Sequence, residues 1–379
     1  METCNVLIVG GGPAGSSCAW RLTRAGFDVV VMDRAIFPRD KVCAGWITPQ
    51  AVADLELDVD EYRVGRTFQD ITAFRVGLSQ RRRAIDTHYD CPVSYGIRRC
   101  EFDHYLLQRS RARLRLGEGA VRIRRDVSSG RWIVNDQIEA PMLVGSGGHF
   151  CPVARMLEPR VDGSALVVAQ EAEFEIDDDD GWVTPAQTPE LYFAADLKGY
   201  GWIFRKGRYV NIGIGRTDRR SLPKATRAFV GFLRVEKRIP DRAALSWRGH
   251  AYLLSTSSRR SVDDGVLLAG DAAGLAYPAS GEGIRPAIES GLLAASAIVA
   301  AQGDFSRARL ANYVTQLHLR FGVAASASAP SPWRSAVTAT IAPWLFKVPW
   351  FVRRQVLNRW FLRAHDSNLI LQPPLSAPR

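Results

Sequence analysis

Apolar positions near the start of the chain come in short unbroken runs. Residues 6–9 (VLIV) and 29–32 (VVVM) are the first two, and residues 142–144 and 265–268 repeat the form further on. Such runs, with no polar face, are the pattern of strands buried on both sides in a parallel sheet. Between the first two, residues 14–25 have helical character and stop at Gly26, so residues 5–34 predict a strand–helix–strand unit. A second helix is predicted within residues 95–110, where Phe102, Leu106 and Leu107 share a face. A third, long one opens at residues 281–284 and runs to Ala301.

Residues 164–247 change character. Alternating apolar and polar positions predict strands at 165–169, 171–176, 191–194, 201–204, 209–214 and, just beyond, 251–254, interrupted by a helix at 224–237. A sheet with one apolar and one polar face suits a wall over a binding cavity. Two more strands, 71–76 and 84–89, flank the charged turn Gln80-Arg81-Arg82-Arg83 as a solvated hairpin tip. Residues 51–66 read as a short helix and loop, and 120–124 and 132–134 as further strands. The acidic run 177–180 reads as a turn.

Composition refines this outline. A chain of 379 residues has room for two or three packed units, and 46% hydrophobic with 23% charged residues is ordinary for a globular protein. The net charge of +11 is carried almost wholly by arginine, since only six of the 50 basic residues are lysines. That excess suits an anionic membrane surface or a phosphorylated substrate, but no nucleic-acid recognition motif accompanies it, so no nucleic-acid partner is expected. Six cysteines show neither a C-x-x-C pair nor metal spacing, which predicts reduced thiols, no metal site and a cytoplasmic setting. Met1 to Cys4 runs straight into the first strand without a leader, and no apolar run is long enough to cross a bilayer.

The candidate chemistry begins where the first strand ends. Gly10, Gly12 and Gly15 form a G-x-G-x-x-G pattern with Pro13 and Ala14 inside it, and Asp33 and Arg34 stand at the tip of the second strand. A glycine turn of this kind lets a pyrophosphate approach the backbone at a helix N-terminus, and an acid at this distance accepts ribose hydroxyls. Strand, turn, helix and acid in this order predict a dinucleotide site. Arg99, just ahead of the second helix, is a surface charge on one reading and a phosphate or flavin contact on the other.

Together with Arg99 and the stretch Gly270 to Ile284, these residues resemble flavoproteins of the p-hydroxybenzoate hydroxylase superfamily. The segments FPRDKVCAG at 37–45, GYGWIF at 199–204, NIGIG at 211–215 and GDAAGLAYPASGEGIRPAIESG at 270–291 are similar to those of the geranylgeranyl reductase family. The resemblance implies an α/β fold, a Rossmann-type FAD-binding domain with an inserted β-sheet substrate domain and a C-terminal helical segment. The FAD-binding part would comprise residues 1–70, 95–163 and 257–305, and the substrate part 164–256 with strands from 71–94. Residues 306–379 would form the C-terminal segment. Gly270 and Asp271 would meet the ribityl chain, and Pro278, Gly281, Glu282, Gly283 and Ile284 would begin a helix whose positive end faces the flavin. Cys43 and Ala44 would lie beneath the flavin, and Tyr200, Trp202 and Phe204 would line the substrate cavity.

What the resemblance implies chemically is hydride transfer from flavin N5 to a double bond of an isoprenoid or other apolar lipid, with Cys43, a tyrosine or water giving the proton. A buried cysteine ordinarily packs as a small hydrophobe, whereas Arg39 and Lys41 beside this one favour its thiolate. Cys151 and His149 read as structural. A monooxygenase or, with its signature motif missing, a halogenase uses the same scaffold with oxygen, and a prenyl-binding flavoprotein without catalysis is the third reading. The chain departs from the family pattern at Arg205, where a proline is usual, which places a basic group at the cavity edge and suits an anionic substrate. NAD(P)H or a redox partner protein would supply electrons. The tail at 333–362 interleaves tryptophan and phenylalanine with arginine, as a lid packed on the FAD domain or as an anchor at the inner face of a membrane.

Overall fold

The computed structural model describes residues 1–79, 81, 83–158, 166–176, 184–241, 243–253, 259–277, 280–322 and 344–370. The four buried runs become neighbours in a six-stranded sheet. Its order is Val262–Asp263, Val266–Leu268, Met142–Gly145, Val6–Val9, Val29–Asp33, Arg113–Leu116, parallel except at the Val262–Asp263 edge. Val6–Val9 lies in the middle, its chain continuing to one side and Met142–Gly145 pairing on the other. That arrangement opens a crevice beyond the carboxyl ends of these two strands. Side chains of Leu7, Ile8, Val30, Val31, Leu143 and Val144 are fully buried, as strands covered on both faces require.

Helix Pro13–Arg24 covers this sheet and packs against the long helix Ile284–Ala301, with helix Arg99–Arg109 on its other flank. The contact between the first two is backbone on backbone. A Cβ on Gly291 would come within 2.2 Å of the Ala14 carbonyl oxygen. The 18-residue helix Ile284–Ala301 is apolar enough to span a bilayer by composition, but most of it is buried inside the protein as core.

The alternating region forms a seven-stranded sheet in the order Arg248–Leu253, Leu166–Glu175, Tyr209–Arg216, Gly199–Lys206, Glu190–Phe193, Ala73–Leu78, Ala84–His88. Two expected strands at 165–169 and 171–176 are one continuous strand, because no turn residue separates them. Both faces of this sheet are covered, where alternation alone predicted one wet face. Helix Leu222–Val235 packs Phe229, Phe232 and Leu233 on Ile203, Ile212 and Ile214 outside. The inner face, with Leu191, Phe193, Trp202 and Phe204, turns toward the crevice and meets Phe346 and the C-terminal helix Val352–Phe361 through Val356, Leu357 and Phe361. The expected segment 51–66 resolves into two short helices, Pro49–Asp54 and Val59–Arg63. The acidic run 177–180 and the prolines at 330, 332 and 343 lie outside the described residues.

Replacing Gly291 with alanine forces the two helices apart at the point where both approach the crevice. Gly291→Ala is expected to lower unfolding free energy by about 1–3 kcal/mol, measured by chemical denaturation, and an unchanged midpoint would contradict the packing described.

Candidate functional site

Two helices begin on the crevice, and neither has a side chain capping its first turn. Helix Pro13–Arg24 starts after Gly12 and helix Ile284–Ala301 after Gly283. The unsatisfied N–H groups and positive dipole ends of both are therefore directed at one space, a strong attraction for anionic or electron-rich groups. Gly10 makes the turn into the first helix at φ +117°, a conformation closed to other residues, and a Cβ there would strike the Ser146 carbonyl. Gly15 lets the helix close down, since a Cβ would lie 1.9 Å from the Gly10 carbonyl oxygen. At Gly12 an added Cβ would meet only the Arg39 guanidinium, at 3.5 Å. Gly270, at φ +62°, sits tightly between Ala14 and Ala287 and donates its N–H to Ser290 Oγ.

The space itself is a cavity of about 740 Å³ running from the glycine turn to the inner face of the seven-stranded sheet. Gly12, Pro13, Ala14, Asp33, Arg34, Cys43, Ala44, Arg99, Tyr200, Trp202, Asp271, Gly281, Glu282, Gly283 and Ile284 all line it. Gly10, Gly15 and Gly270 stand behind that lining, and Pro278 lies outside the described residues. Phe204 shares a face with Tyr200 and Trp202 but is fully buried one step further on, edge-on to Trp46 and away from the cavity. Arg205 points to the opposite face and bonds the Gly207 carbonyl, so it offers nothing to a substrate at the cavity edge. The next residue, Lys206, turns inward instead and is completely buried.

Asp33 accepts the Gly11 N–H at 2.7 Å with one carboxylate oxygen and the Ala35 N–H at 2.8 Å with the other. Each oxygen keeps a further acceptor site. Arg99 is buried rather than a surface charge, and makes two 2.8 Å bonds to Asp103. Burial opposes its charge, but Asp103 and then Cys43, to which it is also bonded, hold its pKa above the ordinary arginine value. The Cys43 thiol thus has a fixed cation beside it. Lys41 is pulled down to about 8 by burial, with Asp271 opposing, and touches His250, which burial and Lys41 push down to about 3. His149, also on the cavity, is lowered by burial, and Cys151 is fully buried with its thiol raised for the same reason.

The aromatic wall is built by close approach. A Cβ on Gly213 would lie 2.1 Å from the Trp202 ring, so the indole lies across the glycine's backbone. Its Nε1–H donates to Asn211 Oδ1 at 2.7 Å. Tyr200 donates its hydroxyl to the Ser280 carbonyl at 2.5 Å, tying this wall to the loop that opens the long helix. Phe361 and Phe193 pack on Tyr200 at 5.1 and 5.6 Å. Glu171, Glu173, Asn211 and Lys206 were not legible as inner-face residues. Glu171 and Glu173 alternate with Ala172 and Phe174, a pattern that ordinarily places acids in solvent.

Glu282 is buried against the cavity with neither carboxyl oxygen hydrogen-bonded among the described residues, and burial pushes its pKa up to about 8, with Arg285 pulling the other way. Between about pH 4.5 and pH 8 the folded chain keeps a proton there that the unfolded chain releases, so this group's contribution to stability falls as pH rises through that window. Glu282→Gln is expected to gain stability relative to the parent as pH rises across it, and to lose a protonated-carboxyl infrared band at neutral pH. Parallel pH–stability curves would refute the assignment.

The profile of the FAD binding domain family matches residues 3–325. Menaquinone reductase of Mycobacterium tuberculosis is 32% identical over 322 residues, covering 78% of this chain and 76% of that one. Geranylgeranyl diphosphate reductase of Rhodobacter capsulatus is 29% identical, covering 78% and 75%. Digeranylgeranylglycerophospholipid reductase of Methanothrix thermoacetophila is 27% identical, covering 97% and 89%. Among solved structures, a geranylgeranyl bacteriochlorophyll reductase-like protein from Thermoplasma acidophilum superposes with a TM-score of 0.73 at 20% identity, covering 91% and 88%. A flavin-dependent brominase superposes at 0.69 and 17%, covering 96% and 93%, a likeness of fold alone. This chain belongs to the FAD binding domain family, is similar to the geranylgeranyl reductases, and is an FAD-dependent oxidoreductase.

Proposed function

We propose that this flavoprotein reduces carbon–carbon double bonds of an isoprenoid or similarly apolar chain. The observation that carries the reading is that one cavity holds the glycine turn and two uncapped helix starts at one side, an aromatic wall at the other, and the Cys43 loop among its lining. These residues fit FAD. The first helix start with Gly12, Pro13 and Ala14 would take the pyrophosphate, Asp33 and Arg34 the adenosine side, and Asp271 the ribityl chain. Gly281 to Ile284 would take the flavin edge. FAD, when bound, supplies hydride to one alkene carbon.

The chain's own residues do the rest. Tyr200 and Trp202 offer the prenyl chain apolar surface that asks for no polar partner, and they keep water from the reacting bond. Cys43 Sγ holds the proton for the second carbon, and Arg99 beside it stabilises the thiolate left behind until solvent returns the proton. The names of the three reductase relatives support an apolar polyprenyl substrate.

Reduced anaerobically with dithionite and given a geranylgeranyl lipid, the holoprotein is expected to reoxidise as the lipid gains two hydrogens. Cys43→Ser is expected to slow this step on the order of 10²-fold. Flavin that stays reduced until oxygen is admitted, with an oxygenated lipid as product, would replace the reading by a monooxygenase, and an unaltered bound lipid by a binding role.

The C-terminal segment supports delivery from an anionic bilayer. Its inner residues Phe346 and Phe361 pack on the aromatic wall, while Trp344 and Trp350 are 70% and 60% exposed, each with a cation, Lys347 or Arg354, over its ring. Co-sedimentation with phosphatidylglycerol vesicles, weakened by salt and by Trp344→Ala with Trp350→Ala, is the expected result. Equal recovery with neutral vesicles would exclude this contact.

A further inference from the structure

The loop that carries Cys43 is fastened from below by a buried polar group on the inner face of the seven-stranded sheet. In the sheet's register Trp202, Gly213 and Glu171 form one row and Phe204, Asn211 and Glu173 the next. Glu171 Oε2 accepts the Cys43 N–H at 2.6 Å. Asn211 donates its amide to the Cys43 carbonyl at 3.3 Å and to Glu171 and Glu173 at 3.3 and 3.1 Å. Lys206 spends its three protons on the Ala44 and Ile97 carbonyls and on Glu173, at 3.1, 3.0 and 2.5 Å. Both backbone polar groups of Cys43 are therefore held by side chains of the sheet.

Asn211 is the joint in this arrangement. Its oxygen is fixed by the Trp202 indole N–H, so its amide cannot turn over without losing that bond. Fixing the oxygen on Trp202 aims the NH₂ at Cys43 and the two acids. An asparagine at a fully buried position with all its polar atoms engaged is costly to leave half-satisfied, so a shift of the indole is felt at the cysteine loop. Trp202 and Cys43 both line the cavity.

We propose that Asn211 is a positioning residue that couples the substrate-facing ring of Trp202 to the placement of the Cys43 thiol. Filling the cavity and presenting the thiol are then one event, because both depend on the same indole hydrogen bond. The inference rests on the reading of Cys43 as a working thiol, but its test does not need turnover.

Alkylation of the FAD-loaded protein by iodoacetamide, mapped by mass spectrometry, gives a rate for each cysteine. In Asn211→Ala the Cys43 rate is expected to rise about fivefold, the scale of one lost buried hydrogen bond. Cys91, exposed at the surface, should be unchanged, and the buried Cys18 and Cys151 should stay protected as a check on folding. Trp202→Phe, which keeps an aromatic ring but removes the indole N–H together with the fused ring that lies over Gly213, is expected to give a smaller rise in the same direction. The double variant should match Asn211→Ala alone, since both substitutions break one link. If Asn211→Ala exposes Cys18 and Cys151, it has unfolded and Trp202→Phe decides. A Cys43 rate unmoved by Trp202→Phe, or additive effects in the double variant, would overturn the coupling. A protein that passes this test and reduces no lipid would fail the functional reading alone.

Discussion

Two helix starts left without caps on the same space are the constraint on which the rest of the molecule depends. A first turn without a side-chain cap keeps several N–H donors unsatisfied, a cost that a chain tolerates only where something else will accept them. Here both helices must also touch, backbone to backbone, at Ala14 and Gly291, so their two starts are held in one geometry. The parallel sheet fixes the first helix, the first helix fixes the long one, and the long one places Glu282 and Asp271 around the cavity. The cavity is in this sense a by-product of close packing between two elements far apart in sequence.

The opposite wall obeys a different economy. Its inner face carries Glu171, Glu173, Asn211 and Lys206 among aromatic rings, all buried or nearly so. Such groups survive burial only as a satisfied set. Burial raises Glu171 to about 7 while Lys206, Asn211 and the Cys43 N–H oppose it, and Lys206 with Asn211 holds Glu173 below its usual value despite burial. A hydrophobic face would hold the sheet against the cysteine loop more cheaply, but it would not fix the loop's register.

Much of this was legible in the residues. Unbroken apolar runs gave the parallel sheet, and glycines at 10, 12 and 15 with an acid at 33 gave the first loop, because local sterics dictate those positions. Legibility ended where tertiary contacts reverse a local rule. Alternation in the strand Leu166–Glu175 sends its acids toward water by default, and only the cysteine loop laid against that face makes them interior. Arg205 and Lys206 show the same limit. One residue of register decides which of two adjacent cations faces the cavity side, and alternation from Trp202 chooses Lys206. The sequence left Arg99 open between a surface charge and a cofactor contact, because its partner Asp103 is four residues along the helix and its other neighbour, Cys43, is fifty-six residues away in the chain.

The aromatic wall does not end with the sheet. Phe346 and Phe361 continue it, and both lie beyond residue 325, where the match to the FAD binding domain family stops. Those two rings stand behind Phe193 and Tyr200, which line the cavity, so the tail backs the wall from outside the cavity itself. Substitutions in the tail can therefore shift those two lining rings from behind without disturbing a single glycine of the loops.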